Sequence, residues 1–190
     1  MSKQRIAIFA SGTGSNYEAI METKDLPCEV VLLVCDQPDA HVIEKANKYG
    51  TPTFVFNVAD YENRAAYEKE IVEQLKKANV EWIFFAGYMR LIGSTLLNEY
   101  EGSIVNIHPS LLPKFPGLDA IGQAFKAGVN ETGVTIHYVD AGMDTGPIIA
   151  QETVPITTED TLVTLKEKIQ AVEHKLYPHT ICQLLKKHHD

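Results

Sequence analysis

The sequence predicts an α/β fold in which a parallel, doubly wound sheet is followed by an antiparallel hairpin and a long last helix. Three observations carry this. Apolar runs at residues 5–10, 30–35, 54–56, 82–86 and 104–108 alternate with helical patterns, as in strand, crossover helix and parallel strand. After residue 130 the order changes, and runs 133–139 and 147–154 flank a short loop instead of a helix. From Leu162 onward an apolar stripe at helical spacing continues for more than ten residues.

The first strand, Arg5 to Ala10, meets Ser11-Gly12-Thr13-Gly14-Ser15-Asn16 before the helical pattern of Tyr17, Ala19, Ile20 and Met21. Glycines let backbone approach a ligand, and a helix start offers unpaired N–H donors to a phosphate. Thr13, Ser15 and Asn16 add side-chain donors; a plain strand-to-helix turn is the alternative reading. Asp36, after the strand Val30 to Cys35, sits where a dinucleotide site keeps its ribose-binding acid. That site also needs a third glycine, and the position holds Tyr17. A Walker loop is excluded by the absence of Gly-Lys-Ser/Thr after a four-residue spacer. A phosphomonoester of a smaller ligand fits better.

Asp39 to Lys48 reads as a helix stopped by Gly50, and Phe54 to Phe56 as a short strand. Tyr61 to Ala78 reads as an amphipathic helix with Tyr67, Ile71 and Leu75 on one face. Arg64 in its first turn opposes the helix dipole, which a ligand carboxylate would justify. Trp82 to Ala86 is a buried strand running into Gly87-Tyr88-Met89-Arg90-Leu91-Ile92. In the strand Ile104 to His108, Asn106 and His108 lie two apart and so share a face, while Pro109 keeps His108 on extended backbone. Polar side chains there are either a catalytic pair or hydrogen-bonded structural residues. The glycine turn, the Met89 loop and His108 should open at one edge of the sheet, where ligands of open α/β sheets bind.

Ser110 to Gly117 is a proline-rich irregular loop, and Leu112-Pro113 is a candidate for the cis bond that about 5–6% of X-Pro bonds adopt. A helix from Leu118 to about Lys126 stops at Gly128. The hairpin loop is Asp140-Ala141-Gly142-Met143-Asp144-Thr145-Gly146, and His137 before it is expected to face solvent or that loop. Thr158 to Thr161 offer N-caps for the last helix, with Leu162, Leu165, Ile169, Val172 and Leu176 inward and Glu173 beside them. Pro178 should end or bend it, with helical packing resuming at Ile181, Leu184 and Leu185.

A length of 190 residues suits one domain, and 45% hydrophobic with 22% charged residues is ordinary for a globular chain. A net charge of -8 counts against nucleic acid or an anionic membrane as partner. Cys28, Cys35 and Cys182 are an odd set without metal-ligand spacing, and the histidines show no zinc pattern, so no metal is expected. The N-terminus leads directly into a strand of about five residues, too short for a signal-peptide core or a membrane span, which leads to a cytoplasmic expectation.

With Ser11 to Asn16, the run Asn106-Ile107-His108-Pro109-Ser110-Leu111-Leu112-Pro113 and the later Gly142-Met143-Asp144-Thr145-Gly146-Pro147 in hand, the chain resembles the formyltransferase family. The glycine turn suits a ribotide phosphate, and no extra domain of the tRNA or deformylase members is expected. Both features favour the folate-dependent phosphoribosylglycinamide formyltransferases of purine biosynthesis. The resemblance implies a single formyltransferase domain over 1–190, with a Rossmann-like parallel sheet and phosphate-binding half over about 1–100. A catalytic and folate-binding half over 101–190 then completes a mixed sheet with helices on both faces.

Carried over position by position, the resemblance makes Asn106, His108 and Asp144 catalytic and puts the substrate phosphate on Gly12, Thr13, Gly14, Ser15 and Asn16. Glu173 falls at the glycinamide end. The folate-binding set is Arg64, Met89, Arg90, Leu91, Ile92 and Asn106 with Asp140, Ala141, Gly142, Met143 and Asp144. The implied co-substrate is 10-formyltetrahydrofolate and the implied acceptor phosphoribosylglycinamide, with no metal, nucleic acid or membrane. Exposed apolar residues are candidates for a homodimer face. Two other readings stand beside this one: a different formyl-folate enzyme of the deformylase kind, and a non-catalytic phosphate-binding module.

Overall fold

The first five strands belong side by side because they are short, largely apolar runs that need cover on both faces. In the computed structural model, which describes residues 2–188, they do. The strands β1 (Gln4–Ala10), β2 (Cys28–Cys35), β3 (Thr53–Val55), β4 (Trp82–Phe85) and β5 (Ile104–His108) are parallel. β6 (Glu131–Tyr138) and β7 (Ile148–Pro155) then add antiparallel partners, giving one mixed sheet of order β3-β2-β1-β4-β5-β6-β7. The strand order reverses at the β1/β4 pair, which is where a ligand crevice is expected.

Alternation on β1 divides the core. Ile6, Ile8 and Ala10 face one way and pack with α1 (Ser15–Met21), α2 (His41–Tyr49), α5 (Ala120–Ala127) and α6 (Leu162–Lys187). Ala7 and Phe9 face the other way, onto α3 (Arg64–Lys77) and α4 (Ser94–Glu99). Burying each large aliphatic or aromatic side chain contributes about 1.5–3 kcal/mol. Cys28 and Cys35 are buried free thiols that pack as small apolar residues on β2. Leu112-Pro113 is cis. Among the described residues no helix is long and apolar enough to cross a membrane.

Several boundaries differ from the sequence reading. The helix expected from Tyr61 starts at Arg64, because the Asn63 side chain accepts the Ala66 N–H at 2.9 Å and Val58–Asp60 forms a separate 3-10 turn. The sequence reading did not anticipate α4, because its cap comes from far along the chain. Buried Glu68 accepts the N–H groups of Gly93 at 2.7 Å and Leu96 at 3.2 Å. The helix expected from Leu118 starts at Ala120, capped by Asp119. Pro178 does not end α6, which runs unbroken to Lys187, held by buried Tyr177, Ile181, Leu184 and Leu185. The inward stripe is also corrected: Leu162 is exposed and Val172 and Leu176 are half-buried, while Leu165, Ile169, Glu173, Tyr177 and Ile181 face the sheet. Tyr177 ties the helix to the site-bearing strands by donating its hydroxyl to the Phe85 carbonyl at 2.7 Å. Thr161 and Thr164 form a reciprocal capping box at the helix start.

Gly14 joins β1 to α1 with a φ of 74°, and a Cβ there would lie 2.6 Å from Val42 Cγ2 and 3.0 Å from the Val42 backbone. Gly14→Ala should therefore cost at least about 2 kcal/mol, from left-handed strain plus the clash. Urea denaturation should show a lower midpoint at unchanged slope.

Candidate active site

The turn after β1 and the loop after β4 are joined by short polar links. The Ser11 N–H donates to the Gly87 carbonyl at 3.1 Å, and Ser11 Oγ accepts the Met89 N–H at 3.0 Å. Gly14 is the N-cap of α1 without a side-chain cap, so the first-turn N–H groups are left for a ligand. Asp36 is not free to bind a ribose. Its buried carboxylate accepts Ser11 Oγ–H at 2.5 Å and the Arg90 Nε–H at 2.8 Å.

A second set of contacts shapes the loop after β5. Thr135 Oγ1 donates to the Ser110 carbonyl at 2.6 Å and accepts the Leu112 N–H at 3.1 Å. Gln151 Nε2 donates to both Thr135 Oγ1 at 2.9 Å and the Leu112 carbonyl at 3.0 Å. The loop then returns over His108, whose Nε2 lies 2.9 Å from the Phe115 carbonyl. A carbonyl only accepts, so Nε2 carries hydrogen and Nδ1 faces Asp144 Oδ2, 3.6 Å away. The same Oδ2 accepts the Gly117 N–H at 2.8 Å.

His137 does not face solvent but is turned toward the hairpin loop, the second of its two expected surroundings. It is 2% exposed and lies opposite Asn106 in the antiparallel ladder. Its Nδ1–H donates to the Tyr138 carbonyl at 2.8 Å, which leaves Nε2 as an acceptor 3.4 Å from Asn106 Nδ2. Asp144 Oδ1 lies 3.8 Å from that nitrogen. Burial pushes the imidazole below its ordinary value, with only partial recovery from the Tyr138 carbonyl and Asp144. A signal was present in the sequence, since Thr135 and His137 repeat the two-residue spacing of Asn106 and His108.

Glu173 projects from the buried face of α6 toward Asn16, without a cationic partner among the described residues. Burial pushes its carboxyl from the ordinary 4.5 to about 7, against a smaller downward pull from the Asn16 side chain. Asn16 Oδ1 is itself buried without a hydrogen-bond partner.

All the predicted site residues border one cavity of roughly 900 Å³: the Gly12–Asn16 turn, Arg64, Met89–Ile92, Asn106, His108, Asp140–Asp144 and Glu173. That volume suits a ligand larger than a lone phosphate. Met89, Leu91, Leu118 and Met143 are each at least half exposed and give its mouth an apolar rim. Residues missed from the sequence are His137, the segment 117–121, and Lys166 and Gln170 on α6. The last two share a helical face with Glu173, at spacings of four and three, beside the apolar stripe. Among the described residues no group of three or more His, Cys, Asp or Glu is arranged to hold a metal ion. The arrangement brings anion donors, two guanidinium groups, an amide, two imidazoles and a carboxylate onto the lining of one cavity.

The formyl transferase family model matches residues 4–181. Phosphoribosylglycinamide formyltransferase of Bacillus subtilis (strain 168) is 56% identical over 185 residues, covering 96% of this chain and 95% of its own. Among solved structures, glycinamide ribonucleotide transformylase 1 from Geobacillus kaustophilus has a TM-score of 0.94 at 58% identity, covering 96% of this chain and 99% of its own. Phosphoribosylglycinamide formyltransferase from Bacillus halodurans has a TM-score of 0.95 at 58% identity, covering 97% of each chain.

Glu173 gives the site a pH signature in stability. Its folded-state value of about 7 lies above the ordinary 4.5, so the folded protein holds a proton that the unfolded chain has released between them. Stability relative to Glu173→Gln should fall by on the order of 3 kcal/mol as pH rises through that window, and stay level above it. Denaturation of both proteins across the range measures this; parallel profiles would contradict it.

Proposed function

The chain belongs to the formyl transferase family, and from that premise we propose that it transfers the formyl group of 10-formyltetrahydrofolate to the amine of N1-(5-phosphoribosyl)glycinamide, a step of de novo purine synthesis. The observation that carries this reading is that Asn106, His108 and Asp144 line one cavity together with a phosphate-type turn and two arginines. The chain acts as one domain, and the reaction takes place in the cytoplasm. Residues 1–100 contribute the phosphate-binding half, and residues 101–190 the catalytic and folate-binding half.

The ribotide phosphate rests on Gly12, Thr13, Gly14, Ser15 and Asn16, where uncapped N–H groups at the start of α1 meet it. Glu173 receives the glycinamide end. Folate lies against Met89, Arg90, Leu91, Ile92 and the Asp140–Asp144 loop, with Arg64 and Arg90 facing its carboxylates.

The amine lone pair attacks the formyl carbon, and the carbonyl electrons move to oxygen. Asn106 Nδ2–H and a His108 N–H stabilise that oxyanion. Asp144, beside His108, takes the proton leaving the amine, directly or through water. The bond from carbon to the folate nitrogen then breaks as His108 protonates that nitrogen. His137 holds the Asn106 amide in place, because its neutral Nε2 accepts one amide hydrogen and leaves the other for substrate. Every step uses side chains of this chain.

Purified protein should formylate phosphoribosylglycinamide with loss of 10-formyltetrahydrofolate, as read by absorbance and product analysis. Asn106→Ala should lower kcat about 10²–10³-fold, the cost of one lost oxyanion donor, with little change in KM. His108→Ala should leave almost no turnover. Formate release without formylated ribotide would point instead to a deformylase, and no turnover by folded wild type would point to a binding module.

A further inference from the structure

Asp36 does not itself line the cavity, yet its side chain is wholly buried and reaches across the end of β1 from β2 to the loop after β4. We propose that Asp36 is a positioning residue for the folate donor: it aims Arg90 and, through Ser11, holds the Met89 backbone, so that the guanidinium meets the carboxylates of the glutamyl tail. This inference rests on the proposed formyl transfer.

The geometry divides the labour within each side chain. Asp36 Oδ2 engages only the Nε–H of Arg90, at 2.8 Å, and Oδ1 engages the Ser11 hydroxyl. Ser11 Oγ passes the constraint on by accepting the Met89 N–H. Arg90 is 38% exposed, and among the described residues its terminal nitrogens meet no protein acceptor. They leave a planar pair of donors free to meet a carboxylate. A purely structural ion pair would be satisfied by any cation of the right length. Here the grip is on Nε, and it leaves the carboxylate-binding edge of the fork free.

Glu68 acts at the other end of the same wall. It caps Gly93 and Leu96, so residues 89–93 are held at both ends by buried carboxylates. Asp36 alone contacts a charged group of the cavity, which makes its effect specific to the charged part of the donor.

The test compares KM values for two donors, 10-formyltetrahydrofolate and its analogue lacking the glutamyl tail. Asp36→Asn should raise KM for the intact donor roughly tenfold, the scale of a charged hydrogen bond, with KM for the ribotide changing far less. For the tail-free donor, Asp36→Asn and wild type should have matching KM values. Arg90→Lys keeps the charge but lacks the Nε–H, and should raise KM for the intact donor as much as Arg90→Ala does. Should Asp36→Asn fail to fold, the Arg90→Lys comparison decides alone. A wild-type KM in Arg90→Lys, or an Asp36→Asn effect of equal size on both donors, would overturn the assignment. Wild type that transfers no formyl group would bring down the functional reading itself, whereas transfer with unaltered donor KM in both variants would bring down only the role of Asp36.

Discussion

The antiparallel pairing of β5 with β6 is the constraint on which the site depends. It sets Asn106 opposite His137 and His108 opposite Thr135. A slip of one residue would turn each of these side chains to the other face. Thr135 is fully buried and directs the loop after β5, and that loop returns the Phe115 carbonyl to His108 and the Gly117 N–H to Asp144. One ladder register therefore supplies the amide, both imidazoles and the grip on the carboxylate. The parallel half contributes a second wall at the β1/β4 strand-order reversal, where open α/β sheets hold their ligands.

The buried polar groups divide by how their charge is handled. Asp36 and Glu68 are enclosed with a donor on each oxygen, which suits residues that hold backbone and side chains in place. His137 is enclosed and kept neutral, so its ring works through a fixed tautomer. Glu173 is enclosed with little compensation, and a carboxyl raised to about 7 can donate or accept a hydrogen bond at neutral pH. Leaving a group that costly in place makes physical sense where a polar ligand completes its hydrogen bonding.

The parallel strands, the glycine turn, the hairpin and the shared face of Asn106 and His108 are legible in the sequence because each rests on local periodicity or turn chemistry. Three features are not, for separate reasons. The cap of α4 lies 25 residues away on another helix, at Glu68, so no local signal announces it. Pro178 usually breaks a helix, but packing of Tyr177 and Ile181 on the sheet outweighs the lost hydrogen bond. The choice for His137 between solvent and the hairpin loop stayed open because burial depends on which strand pairs with β6, and that is a tertiary fact. The roles of the residues are carried by family resemblance, whereas their convergence on one cavity is a property of the fold.

The most direct measurement is a crystal structure of the protein with phosphoribosylglycinamide and a non-transferable analogue of the formyl donor. The phosphate should lie on Gly12–Asn16, and the amine should face the analogue's formyl-equivalent carbon within reach of Asn106, His108 and Asp144. A phosphate bound elsewhere, or an amine directed away from those three side chains, would contradict the proposed chemistry.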